Sequence, residues 1–260
     1  MASQLWSLLW FDTFMNQRIE AAEAALLAAV DTVEDSGLTR ALHELIGEVW
    51  GINLARYAPD EHGDTTKSLG TQCYENLREL ALRRFLGNEW LAPEDQWAIP
   101  GLTITTPQSV LTFSIAGLHL ITKKVPYAQG RTPLWSRFPD WDAESQSRHD
   151  IARANARILG GNGLLHPAQA EFDLDGEAEL RPGTVRNFML VWAGDDQSGA
   201  TSAWLTVPVD WPGTHFAAIR RLWHDEVVSG MPVRREVSTG QPDPEPVLRL
   251  RPRADQEEQA

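Results

Sequence analysis

Seven basic residues crowd the middle of this chain. Between Gly101 and Gly160 stand Lys123, Lys124, Arg131, Arg137, Arg148, Arg153 and Arg157, against the acids Asp140, Asp142, Glu144 and Asp150. The chain as a whole carries a formal net charge of -13, so this stretch is a basic island in an acidic protein. His149, Arg153 and Arg157 recur every four residues. On a helix they form one cationic stripe, with Ile151, Ala154 and Ile158 on a different face. Such groups suit a phosphate, a nucleic-acid backbone or an acidic protein surface. The candidate anion-binding set is therefore Lys123, Lys124, Arg131, Arg137, His149, Arg153 and Arg157. A metal-independent phosphodiesterase would use the same island, with His119 or His149 as base and the cations steadying the phosphorane. The competing reading is a solvated helix face partly paired with the chain's own carboxylates.

Other chemistries fail at identifiable positions. His43-Glu44 begins a zincin-like motif, but the position four residues after His43 is Gly47, so the second ligand is missing. Asp60, His62 and Asp64 are weak metal candidates, and a solvated interhelical turn is the favoured reading of them. Glu171 to Gly176 imitates the opening of a calcium loop, yet the twelfth position is Pro182 rather than a bidentate Glu. Gly63 to Ser68 ends like a phosphate-binding loop, but Thr66 replaces the glycine before Lys67 and no apolar strand precedes it. A restriction-type nuclease needs an acid two residues before its lysine. Ile121 and Thr122 stand there, leaving a displaced carboxylate such as Glu75 as the substitute. His224-Asp225 has the chemistry of an oriented base, but as neighbours on a helix they would diverge, and both read as surface. No metal or cofactor is expected.

Composition bounds the class. At 260 residues, with 42% hydrophobic and 23% charged residues, the chain suits a folded protein with a large core. Eleven Trp supply bulky core anchors. The acidic balance opposes general affinity for nucleic acid and leaves a specific contact undecided. Only three lysines occur, which reads as compositional bias before chemistry. Cys73, the lone cysteine, excludes an internal disulfide and fits a reducing compartment. The apolar start, Leu5 to Phe11, has no basic flank and is interrupted by Asp12 and Arg18, so no membrane span is expected and a cytoplasmic address is.

The elements that must position these residues follow from periodicity. Leu8, Phe11, Met15, Ile19, Ala22, Leu26, Val30 and Val33 define a long amphipathic helix, ended at Glu34-Asp35-Ser36-Gly37. Leu38, Leu42, Leu45, Val49 and Ile52 define a second, completing a helical hairpin. A third follows on Tyr74, Leu77, Ala81 and Phe85, with Thr71 as its N-cap. Strands are expected over 102–106, 110–115 and 118–125, then a loop to Trp141 and a fourth helix over 147–159. Two more strands cover 185–193, buried on both faces, and 202–209. A last helix is expected over 215–228, from Phe216, Ile219, Trp223 and Val227.

The sum is an α+β fold: an N-terminal helical hairpin and further helices on a mostly antiparallel sheet of about five strands. Residues 1–238 are expected to form one domain, with a possible subdivision near 160–163, and 239–260 a flexible tail. With every catalytic template broken, a non-enzymatic binding or regulatory role is favoured, of an antitoxin, inhibitor or phage-related type. Its partner would be another protein or an anionic ligand. A nuclease or phosphodiesterase, and sequence-specific DNA binding by the fourth helix, are the alternatives.

Overall fold

The computed structural model describes residues 2–86, 96–125, 145–160 and 184–226, with side chains from Met15 onward. Arg131, Arg137, the 161–163 boundary, the 171–176 turn and the 239–260 tail lie outside the described residues.

The helical hairpin forms as expected. Helix α1 (Ala2–Asp35) buries Ala22, Leu26, Ala29, Val30 and Val33, at steps of three and four, while Ile19 of the expected stripe is exposed. The chain reverses at Gly37, whose φ of 78° is open to glycine at little cost, and α2 (Leu38–Arg56) begins at once. Leu38, Leu42, Leu45 and Val49 are buried, but the buried face then turns toward Trp50 and Asn53, leaving Ile52 outside. A short turn of helix, α3 (Pro59–His62), precedes α4 (Thr66–Leu86). Helix α4 starts five residues before the expected cap. Thr65 and Ser68 bond each other's backbone N–H reciprocally, at 3.0 and 2.9 Å, so the turn closes there rather than at Thr71. Leu69, Cys73, Leu77 and Ala81 form its buried stripe.

The sheet has six strands rather than five, in spatial order of sequence: β1 (Thr103–Thr105), β2 (Thr112–Ile115), β3 (Leu118–Lys124), β4 (Asn187–Gly194), β5 (Thr201–Trp211) and β6 (Thr214–His224). Neighbours are antiparallel except β3 and β4, which run parallel. A parallel pair needs a crossover, and α5 (Gln146–Leu159) lies within it.

The sixth strand replaces the expected last helix. Pro212-Gly213 is a two-residue hairpin turn, and β6 folds back along β5. Its register shifts three times, between Ala203/Trp204, Val207/Pro208 and Pro208/Trp211, the first two leaving Leu222 and Ala217 as extra residues. These shifts break the two-residue alternation. Although Phe216 and Trp223 belong to one helical stripe by spacing, Phe216 packs on the smaller core and Trp223 in the larger one.

Strand β4 sorts the two layers. Phe188, Leu190 and Trp192 face α1, α2 and α4, where Leu42, Leu45, Ile46, Trp50 and Leu77 complete the larger core. Met189, Val191 and Ala193 face the other way, with Ile121, Trp204 and Ile151 and Ala152 of α5. Phe188 through Trp192 are fully buried, the two-faced burial expected of that apolar run. Among the described residues no helix is long and apolar enough to cross a membrane.

Candidate functional site

In sheets with parallel strands, ligands favour the crevice beyond the strands' carboxyl ends, where the chain has crossed over. Here that point lies past Lys124 and Gly194, which end β3 and β4. A cavity of about 760 Å³ opens there, within the size range of small-molecule sites.

Three segments distant in sequence build its walls. The first turns of α4 contribute Thr66, Lys67, Leu69, Gly70, Thr71 and Tyr74. The end of β3 contributes Lys123, Lys124 and Val125, and the start of α5 brings Ser145 and Arg148. Trp50 and Gly194 close the base. The two are in tight contact, because a Cβ on Gly194 would sit 2.4 Å from the Trp50 ring. The Trp50 indole N–H also donates to the Asp195 carbonyl at 3.2 Å.

The cavity gathers all three lysines of the chain, together with Arg148. Asp196 is the sole carboxylate among the described lining residues. Alternation along β3 sends Lys123 and Lys124 to opposite faces of the sheet. Lys124 lies over the rings of Trp50 and Trp192, 4.9 and 5.6 Å from their centroids, a cation–π seat. Burial lowers its pKa below the ordinary lysine value. Burial, and then the neighbouring Arg148 charge, bring Lys123 down to about 7. Arg148 is lowered by burial too, with the Tyr74 hydroxyl beside it acting in the opposite sense. Its Nη2 donates to the Thr122 carbonyl at 2.9 Å. Lys123, Lys124 and Arg148 each lie where the charged form is disfavoured, so an arriving anion would meet cations poorly served by solvent.

The wall between α4 and α5 is strained. Gln108 and Ser109 have φ of 49° and 65°, left-handed conformations that cost roughly 1–2 kcal/mol each for residues with a Cβ. Tyr74 holds this turn by donating to the Ser109 carbonyl at 2.5 Å, and Ser147 donates to Gln108 Oε1 at 2.7 Å. The strain therefore sits beside the cavity, tied to both helices.

The described remainder of the expected basic set, His149, Arg153 and Arg157, goes elsewhere. Adjacent helix residues diverge by about 100°, so while Arg148 turns to the cavity, His149 does not. His149 is buried and pairs with Asp210 at 3.2 Å, and Arg153 reaches the same carboxylate at 3.5 Å. Strand β5 leaves the cavity from Thr201, which pairs with Gly194, and Asp210 lies near its far end. Arg157 is exposed on the last turn of α5. The cationic stripe is thus largely a paired face, and of the described members of the expected set Lys123 and Lys124 reach the cavity.

Asp60 and His62 are exposed on α3, and Asp64 accepts the Ala58 N–H at 2.9 Å. Among the described residues no group of three His, Cys, Asp or Glu could hold a metal ion. Glu75, the displaced carboxylate of the nuclease reading, pairs with Arg78 at 2.6 Å and does not line the cavity. Asp225, expected at the surface, is instead half-buried and ties the sheet to α2. One oxygen meets His43 Nε2 at 2.6 Å, and the other accepts the Thr201 N–H and hydroxyl at 2.8 Å each. Burial raises its pKa, but the Thr201 bonds and then His43 outweigh this and hold it below the ordinary value. The Cys73 thiol is buried and pushed up to about 11, chiefly by burial, so it is inert rather than nucleophilic.

Sequence reasoning missed Lys67 and Arg148. Lys67 was set aside with the broken phosphate loop, and Arg148 does not share the spacing of the stripe. Lysine scarcity was the available signal: where 20 of 23 bases are Arg, each lysine marks a position worth following. No protein-family model matches the chain, and no curated protein or solved structure is detectably similar to it.

Proposed function

We propose that this protein is a non-enzymatic binding or regulatory protein whose ligand is a small anion, seated in the cavity at the carboxyl ends of β3 and β4. One observation carries the reading: the three lysines, scattered over the sequence, meet there with Arg148, and Asp196 is the one carboxylate among the described lining residues. A concave site suits a phosphate-bearing small molecule better than the flat surface of an acidic protein. The walls are mixed, with Trp50, Leu69, Val110 and Val125 beside the cations, so the ligand carries an apolar portion as well as its charge.

The reading is tested by thermal shift and calorimetry with inorganic phosphate, pyrophosphate and a nucleoside triphosphate, against an uncharged nucleoside. Saturable binding of a phosphate compound that weakens with salt, and is lost in Lys67→Ala/Lys123→Met, is the expected result. Equal response of that double variant and the wild type would remove the cavity from consideration.

A further inference from the structure

The three lysines are not equivalent. Lys67 is exposed on the first turn of α4, and Lys124 is held over two indole rings. Lys123 is half-buried on the opposite face of β3, in a wall shared with Val110, Val125 and Arg148. An amine among apolar side chains and beside a second cation is the environment in which lysine becomes a nucleophile.

We propose that Lys123 is a covalent capture residue, forming a reversible imine with an aldehyde or oxo acid whose phosphate or carboxylate is seated by Arg148 and Lys67. This rests on the anion-binding reading and adds the reactive half of the ligand. The neutral Lys123 nitrogen adds to the carbonyl carbon, and one of its protons passes to the carbonyl oxygen, giving a neutral carbinolamine. The hydroxyl then takes a proton from solvent and leaves as water, giving a protonated imine, and water addition with return of that proton reverses the sequence. Nothing is oxidised or reduced. The anionic end of the ligand stays on the cations, which places the carbonyl within the cavity.

Two further features support the assignment. A lysine that titrates at about 7 is half neutral at that pH, on the order of 10³-fold more free amine than an ordinary lysine offers. The Tyr74 hydroxyl and the Asp196 carboxylate line the same cavity and are chemically able to relay the protons that imine formation requires. Among the described residues, the Arg148 guanidinium beside Lys123 is a charge that favours a neutral amine there.

The test uses the full chain with three probes: pyridoxal 5′-phosphate, pyridoxal, which lacks the phosphate, and glyoxylate. Borohydride reduces any imine to a stable secondary amine, and peptide mapping has only three lysines and the α-amine to distinguish. At near-equimolar pyridoxal 5′-phosphate the adduct is expected on Lys123 in at least about tenfold excess over exposed Lys67. Inorganic phosphate should suppress it, pyridoxal should give much less, and Lys123→Arg should abolish it. Adduct spread evenly over Lys67 and the α-amine, or a silent Lys123, would overturn the proposal. A protein that binds phosphate in calorimetry yet gives no Lys123 adduct overturns covalent capture alone. A protein that does neither overturns the anion site as well.

Discussion

Replacing Lys123 with methionine keeps the length of the side chain and removes its charge. In the unfolded chain the group keeps its ordinary value of 10.5, whereas in the folded protein it titrates at about 7. Each pH unit between those values corresponds to about 1.4 kcal/mol. Below pH 7 the folded protein therefore carries a charged Lys123 at a cost of up to about 5 kcal/mol, and roughly half that after allowing for partial exposure. The sign follows from proton counting. Between pH 7 and 10.5 the unfolded chain binds more protons than the folded one, so wild-type stability rises through that window. Methionine does not titrate. Lys123→Met should thus be more stable than wild type at pH 6, by several degrees in Tm given about 2–4 °C per kcal/mol for a chain of this size. The advantage should shrink by pH 9, while the response to phosphate is lost at every pH. Calorimetric melts at pH 6, 7, 8 and 9 decide it. A variant less stable than wild type at pH 6, or an advantage that does not change with pH, refutes the reasoning. Stability gained together with binding lost is what a site kept for function, at the expense of the fold, should show.

Three further outcomes are expected. Gly194→Ala puts a methyl group against the Trp50 ring and should destabilise by about 1–3 kcal/mol in denaturant unfolding. Arg153→Ala/Arg157→Ala should leave phosphate affinity within about twofold of wild type in calorimetry, because neither side chain lines the cavity. Asp225→Asn removes a charged acceptor of the Thr201 N–H and hydroxyl and should cost about 1–2 kcal/mol at pH 7. The contribution of that depressed carboxylate is present above its unfolded value near 3.8 and is lost as pH falls through its lower folded value, so acid unfolding curves of the two proteins should converge there.

The parts of this fold legible in sequence are those whose pattern arises from a single interface. The buried faces of α1 and α2 repeat every three or four residues because each packs on one surface, and β4 is apolar throughout because it is covered on both sides. Strand β6 was illegible because register shifts, with Leu222 and Ala217 as extra residues, interrupt its alternation, while Phe216 and Trp223 stand at a helical interval yet face different cores. The start of α4 was misplaced because Ser68 stands where a capping box more often has Glu or Gln. The site was half legible. The charge island pointed to β3 and α5, but its regular stripe, His149 and Arg153, proved to be the side neutralised by Asp210. Lys67 and Arg148 join Lys123 only through tertiary packing, which no local spacing records. The residue that reads the cavity on α5 is the one beside the stripe.

Because the chain has only three lysines, labelling them with carbon-13 at Cε gives a spectrum of three side-chain signals that reports on the cavity directly. Titrated between pH 5 and 11, the Lys123 signal should show its midpoint near 7. Pyrophosphate should move all three signals and shift the Lys123 midpoint upward, since a bound anion favours the ammonium form. A Lys123 midpoint above 10, with pyrophosphate perturbing the exposed Lys67 alone, would contradict the account.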